Sequence, residues 1–425
     1  MPSGYIQLSA YGAQDLFISG NPQTTFFISV YKRHTNFAIE SVQQMFTGHT
    51  TFGKKVYCKI QPIGSLINQI FLDLKLPSLN PGQSDELDDP TAVKYSWVNS
   101  IGHAIIEYYD IEIGGTIVDR QYGQWLEIWS DLTVGLDKRP AYDEMIGKNG
   151  AFDATTQPGP LSLMIPLQFW FCRNVGLSLP LVALQQNEVR INMSFRKFDD
   201  LWISSTGATA DDLDPNGYEI AEASLYVDYI YLDNTEMKWF AQNSHYYLID
   251  QLQIQPLSLD PVHTNNIIDL DFNHPVKELI WVIQTTSVLT RGPHSGNDWF
   301  NFSDRIGGAT SGPGGGVIPT DCMSNCIIQF EGEDRISRRD AKYFRLVQPY
   351  QRHTRATGNF IYVYSFALDP ESDKPTGVCN FSRIDKVTLN LNIISGLLQP
   401  VITIYATNFN ILQITNGMAG VMYSD

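Results

Sequence analysis

Cys322 and Cys326 stand four residues apart, a spacing that raises zinc ligation or thiol exchange as the first chemistry to weigh. A tetrahedral zinc site needs a second close pair of Cys or His, and none completes it. Cys58, Cys172 and Cys379 are scattered, and an odd total of five fits reduced thiols better than a disulfide framework. Whether Cys322 and Cys326 pair stays open at this level. The eight histidines (His34, His49, His103, His245, His263, His274, His294, His353) show no His-x-His or His-Glu-x-x-His spacing, so the clustered ligands of a β-sandwich metal enzyme are missing. The acidic runs SDELDD and DDLD lack the glycine and terminal glutamate of a calcium loop and read as solvated loops. GGATSGPGGG has no Gly-Lys-Ser/Thr and no helix signal behind it, which favours a flexible loop over a phosphate cradle. Of three Asn-x-Ser sequons, Asn192 and Asn380 lie in or beside expected strands, leaving Asn301, in a long insert, as the one placed for a glycan. These patterns call for no catalytic residue, no cofactor and no metal.

The elements that would position such residues are mostly strands. In VRINMSF, Val189, Ile191, Met193 and Phe195 share one face and Arg190, Asn192 and Ser194 the other, the alternation of a half-buried antiparallel strand. LDLKL at 72–76, DIEIGG at 110–115, SLYVDYIYL at 224–232 and KVTLNLNI at 386–393 repeat the pattern, parted by Gly, Pro, Asn and Asp clusters, as in a sandwich. Helices are few. Tyr122, Trp125, Leu126, Trp129 and Leu132 fall at helical spacing and predict one amphipathic helix lying on a sheet edge or end. A second is predicted from Ser337, with Asp340 as its capping partner and Phe344 and Val347 turned inward. A third, DNTEMKWFAQ from Asp233, sits near mid-chain. The mostly apolar run from Phe169 carries a charge, Arg173; Phe169 to Phe171 reads as a strand end, Arg173 to Gln186 as a crossover, and Asn187 to Phe195 as the returning strand.

Bulk properties bound the function. The chain has 425 residues, beyond the roughly 250–300 at which one core stops growing, so two domains are expected. A formal charge of -16 argues against phosphate neutralisation and hence against direct nucleic-acid binding. No segment has the 18 or so consecutive apolar residues of a membrane-spanning helix, and the opening MPSGYIQLSAYGAQD lacks a basic and apolar leader, so synthesis in the cytosol is expected. The halves also repeat. LINQIFLDL at 66–74 matches PVKELIWVI at 275–283, IEIGG at 111–115 matches IQFEG at 328–332, VRINMSF matches VTLNLNI at 387–393, and LYVDYIYL at 225 matches IYATNFNI at 404, all in the same order. Long loops, 80–91, 206–218 and about 286–325, take up the differences in length.

YGAQDLFISGNPQTTFFISVYKRHTNFAIESV, from Tyr11, resembles the opening of the major capsid proteins of nucleocytoplasmic large icosahedral double-stranded DNA viruses. RNVGLSLPLVALQQNEV, VDYIYLD, FNHPVK, YSFALDP, CNFSRID and NGMAGVMY are similar to further segments of that family, so the resemblance runs from about residue 10 to the end. One departure is Asn187, where members often carry His. The resemblance implies an all-β chain of two tandem eight-stranded jelly-roll sandwiches with a few short helices and long loops. The expected divisions are an N-terminal arm (1–25), a first jelly roll (26–232), a connecting helix (233–244) and a second jelly roll (245–425). It further implies a structural, non-enzymatic role in the virion: homotrimeric pseudo-hexagonal capsomers tiling an icosahedral shell, made and assembled in the host cytoplasm, with minor capsid and penton proteins and an internal membrane as neighbours. Lys32, Arg33 and His34, beside Phe26, Phe27 and Tyr31, would lie on the inner side against minor capsid proteins or anionic lipid, unless they are the polar end of an ordinary strand.

Two other readings fit a sandwich, since a fold alone does not give function. A lectin-like jelly roll would expose aromatics such as Trp299 and Phe300 over a shallow groove. A jelly-roll enzyme would retain a metal or a substrate pocket.

Overall fold

The computed structural model describes residues 2–79, 95–148, 159–204, 213, 217–289, 297–304 and 319–423. The acidic insert at 80–91, most of 206–218 and the GGATSGPGGG run lie outside the described residues. Two compact units divide the chain, Met1–Asn36 and Phe37–Asp425. The first carries two short helices, Ser3–Ser9 and Leu16–Ser19, with no buried residue in either.

In the second unit the first eight principal strands are β1 (Phe37–Met45), β2 (Lys55–Lys59), β3 (Leu66–Leu76), β4 (Ile106–Ile113), β5 (Thr116–Tyr122), β6 (Leu161–Pro166), β7 (Val189–Phe195) and β8 (Glu222–Leu232). They form two antiparallel sheets, ordered β1-β8-β3-β6 and β2-β7-β4-β5. The next eight are β9 (His245–Ser258), β10 (Asn265–Asp269), β11 (Pro275–Thr285), β12 (Met323–Phe330), β13 (Glu333–Asp340), β14 (Tyr362–Ser365), β15 (Val387–Ile393) and β16 (Pro400–Thr415). Their sheets run β9-β16-β11-β14 and β10-β15-β12-β13, the same order with eight added to each number. The sandwich is therefore built twice, as two jelly rolls, and all four sequence matches fall on equivalent strands. Both β4-β5 and β12-β13 hairpins turn through two residues of positive φ, Gly114-Gly115 and Glu331-Gly332, the geometry that matches strand twist.

Alternation decides the faces. Val189, Ile191, Met193 and Phe195 are buried in the first core, while Asn192 on the other face donates to Asp110 and Glu112. The second core gathers Leu279, Trp281 and Ile283 of β11 with Leu389 and Leu391 of β15. Strand β16 serves more than its own sandwich: Ile402 and Ile404 enter the second core, and Leu412 and Ile414 enter the first.

Helix α1 (Gly123–Thr133) forms as its spacing predicts, one residue after β5 ends at Tyr122; α2 (Arg139–Ile146) follows it. Helix α3 (Asn234–Gln242) is capped by Asp233, whose Oδ1 accepts from Thr235 N and Glu236 N at 3.0 and 2.8 Å. Two local expectations are corrected. Ser337 and Asp340 lie in β13, where pairing to β12 overrides the capping pattern; the helical turn starts later, as a π-helical Tyr343–Val347 leading into α4 (Gln348–Arg352). Phe169 to Phe171 does not end a strand: β6 stops at Pro166, and Trp170–Arg173 is a short helix whose aromatics fill the first core.

Candidate functional site

A continuous set of long-range side-chain contacts lies where the two sandwiches meet. Helix α1 begins at Gly123 because a Cβ there would collide with the carbonyl oxygens of His103 and Ile106. That close approach turns Leu126 into the first core and leaves Trp125, Ile128, Trp129 and Leu132 facing the second sandwich. They pack on Ile280 and Val282 of β11, Val363 of β14 and Tyr405 of β16. Strand β11 is consequently buried on both faces, which explains why PVKELIWVIQT reads as a nearly continuous apolar run. Trp125 stacks on Trp129 at 5.5 Å and tilts against Tyr405 at 5.2 Å. The Tyr405 hydroxyl donates to Gln124 Oε1 at 2.6 Å, and Gln124 Nε2 donates to Gln284 Oε1 at 2.7 Å.

Polar bonds fasten the rim of this seam. Arg173 lies over the Trp129 ring at 4.3 Å and donates to Asp250 Oδ2 at 3.3 Å, an oxygen that also takes Lys277 Nζ at 2.9 Å. The charge inside the apolar crossover is thus a half-buried tie between sandwiches. Asp119 accepts from Leu252 N at 3.1 Å and from Gln121 Nε2 at 2.9 Å; burial pushes its carboxyl up to about 6 despite those bonds. Asn174 donates to Asp373 at 2.7 Å, and Asn187, the residue that departs from the resemblance, donates to the Ala419 carbonyl at 3.2 Å.

Beside α1 a buried charge network holds the first sandwich's helices together. Glu127 shares a 2.6 Å hydrogen bond with His103 Nδ1 and pairs with Lys148. Burial alone would raise its pKa, but Lys148 and His103 outweigh that and hold it down at about 2. Asp131 pairs with Arg139 at 2.8 Å and accepts from Asn359 of the second sandwich. A cavity of about 320 Å³, lined by Glu127, Asp131, Arg139, Lys148, Asp298 and Arg355, opens beside it. The second sandwich has its own centre: His353 lies between Glu278, at 2.9 Å, and Glu371, at 3.0 Å, and these two outweigh burial to raise it to about 9. In these clusters carboxylates meet cations, the arrangement of a clamp rather than of a poised nucleophile and base.

The sequence candidates are dispersed. Cys322 and Cys326 are both free and buried in the second core, and four residues of strand separate their Cα atoms by roughly 13 Å, too far for a disulfide. Burial raises the Cys322 thiol to about 12. Among the described residues no group of three or more His, Cys, Asp or Glu could hold a metal ion. Trp299 and Phe300 do not form an open platform: Trp299 Nε1 donates to the Asp200 carbonyl at 2.7 Å, Arg196 lies over its ring at 3.9 Å, and both residues pack against the first core. Asn301 is half-buried, its Oδ1 accepting from Ser303 N and Oγ at 3.1 and 2.7 Å. Lys32, Arg33 and His34 are exposed in the Met1–Asn36 unit, together with Phe26, Phe27 and Tyr31. The seam was missed by sequence reasoning; its one visible signal was the doubly apolar β11.

Comparison with known proteins agrees with this architecture along the whole chain. Residues 25–233 match the family described as major capsid protein N-terminus, and residues 236–420 match the family described as large eukaryotic DNA virus major capsid protein. The major capsid protein of Pyramimonas orientalis virus is 39% identical, and that of Phaeocystis pouchetii virus 37%, each with all of both chains covered. Among solved structures, the PBCV-1 virus capsid matches with a TM-score of 0.79 at 28% identity, covering 94% of this chain and 100% of the other. The Faustovirus major capsid protein, at 13% identity and a TM-score of 0.74, shares the fold.

Proposed function

The chain belongs to the major capsid proteins of large eukaryotic DNA viruses, components of the virion shell, and from that premise we propose that it builds the shell as a homotrimeric capsomer. Three copies place six sandwiches in a pseudo-hexagonal ring, and the rings tile an icosahedral surface. The observation that carries the reading is the seam. One sandwich seats its helix on the sheet of another sandwich with the same strand order, a heterologous contact that can be repeated from chain to chain until a ring closes.

The remaining assignments follow from the same reading. The division between sandwiches falls at 233–244, around α3, with the segment before the first jelly roll acting as an arm. That arm, with Lys32, Arg33 and His34 among exposed aromatics, faces the inner side, where minor capsid proteins or anionic lipid lie; penton proteins complete the vertices. Assembly takes place in the host cytoplasm. Asn301 is the sequon proposed for a glycan, which intact mass reads directly. Function resides in surfaces, with the charge clusters serving as internal clamps rather than as a catalytic centre.

Native mass spectrometry of the purified chain tests the reading. A species of three times 47.9 kDa is expected, and a chain that stays monomeric at every concentration and salt tried overturns it.

A further inference from the structure

A sugar-binding sandwich needs aromatic rings over a shallow groove, and the structure builds one away from Trp299 and Phe300. A pocket of about 480 Å³ opens at one end of the first sandwich, within the size range of small-molecule sites. Two connections supply its walls. The β1-β2 loop brings Phe52 and Lys54, and the β7-β8 connection brings Lys197, Phe198, Tyr218 and Glu219.

The floor is a fixed set of rings. Phe198 is buried, lies face to face with Tyr218 at 4.9 Å and meets Phe52 edge-on at 5.4 Å. Phe52 also stacks on Trp97 at 6.0 Å, and the Tyr218 hydroxyl donates to the Leu79 carbonyl at 3.1 Å, so both half-buried rings are held in place. The negative face of an aromatic ring receives the C–H face of a sugar, and rings already locked by packing lose little freedom when it arrives.

The rim is charged. Lys54, Lys197 and Glu219 are exposed, and the half-buried Asp199 lines the same pocket. Among the described residues the lysine ion pairs are those of Lys59, Lys75, Lys148, Lys277 and Lys386, which leaves the ammoniums of Lys54 and Lys197 open to a ligand. Two such donors on one pocket select an acidic group, and the carboxylates beside them accept from hydroxyls.

The pocket is also placed for access. Strand β1 starts at Phe37, opposite Leu232 at the end of β8. Phe52 and Lys54 follow the other end of β1 at Met45, and Tyr218 and Glu219 precede the start of β8 at Glu222. The pocket therefore lies at the far end of this strand pair from the root of the N-terminal arm, roughly 25–30 Å away for strands of this length. In the proposed shell the arm faces inward, so the pocket faces outward.

We propose that this pocket is a carbohydrate site for an acidic sugar: a uronic acid ring lies on Phe52 and Tyr218, its carboxylate pairs with Lys54 and Lys197, and its hydroxyls donate to Glu219 and Asp199. The outward placement rests on the capsid reading, whereas the binding does not.

Saturation-transfer difference NMR of the full chain with trigalacturonate tests it, with the neutral methyl ester of the same sugar as a second probe. Transfer is expected to be strongest at the ring protons. Lys54→Ala/Lys197→Ala removes both charge-assisted contacts and is expected to weaken binding roughly tenfold or more, as is the methyl ester on wild type. Both lysines are exposed, and circular dichroism melting verifies that the double variant keeps its fold. Lys374→Ala, at an exposed lysine of the second sandwich, is expected to bind like wild type. No transfer to trigalacturonate from wild type, binding undiminished in the double variant, or an ester that binds as tightly overturns the assignment. A chain that trimerises without binding trigalacturonate loses this site and keeps the capsid reading; a chain that binds it and stays monomeric does the reverse.

Discussion

Replacing Trp125 by alanine removes the plug of the seam, and the structure sets the size of the effect. The side chain is fully buried, stacked on Trp129 and tilted against Tyr405, and its indole N–H makes no hydrogen bond with the described residues. Trp125→Ala therefore deletes packing and leaves no orphaned polar group behind. Truncating a buried tryptophan costs about 3–5 kcal/mol. At roughly 2–4 °C per kcal/mol for a unit of 150–250 residues, the melting temperature falls by about 6–20 °C. Differential scanning calorimetry reads this, with Val175→Ala, an exposed apolar site, as the control expected to stay within about 0.5 kcal/mol of wild type. Because the plug lies between two cores, the variant is also expected to broaden or split the transition as the sandwiches uncouple. A Trp125→Ala protein that melts within 2 °C or so of wild type would refute the seated helix and with it the seam as a structural contact.

Other predictions follow from the charge clusters and turns. His353 is raised above its ordinary 6.5 to about 9, so its contribution is full below pH 6.5 and lost as pH rises through 9. Chemical denaturation from pH 6 to 10 should show wild type losing on the order of 3 kcal/mol that His353→Gln does not lose. Glu127 is depressed to about 2, so its contribution is present above the ordinary carboxyl range and lost as pH falls through 2. Lys148→Met strips it of its strongest partner; a cost of roughly 3–5 kcal/mol at neutral pH and an acid transition at higher pH are expected by circular dichroism. Gly114→Ala places a methyl group at φ +60° against the Asn187 side chain, and thermal melting should register a loss of at least about 1–2 kcal/mol.

What the sequence made legible follows the range of the interactions. VRINMSF matches the bounds of β7 because a two-residue period is local and one face is buried. The equivalence of IEIGG and IQFEG was visible because a two-residue hairpin needs positive φ at both central positions. Ser337 failed as a helix start because pairing of β13 with β12 overrides a local cap, and nothing near Ser337 reports that pairing. The seam needed contacts such as Gln124 with Tyr405, 281 residues apart, which leave no local period. Arg173 stood out as a charge in an apolar run, but its partner Asp250, 77 residues away, became visible only with the strands in place. His353, Glu278 and Glu371 gave no signal at all, since their spacing resembles no motif.

The central claim, that the chain is one third of a pseudo-hexagonal wall unit, is tested most directly by electron cryo-microscopy of the purified assembly. The account predicts three copies related by a threefold axis, with six sandwiches around one ring. An assembly with another number of copies, or a trimer whose six sandwiches do not close one ring, would contradict it.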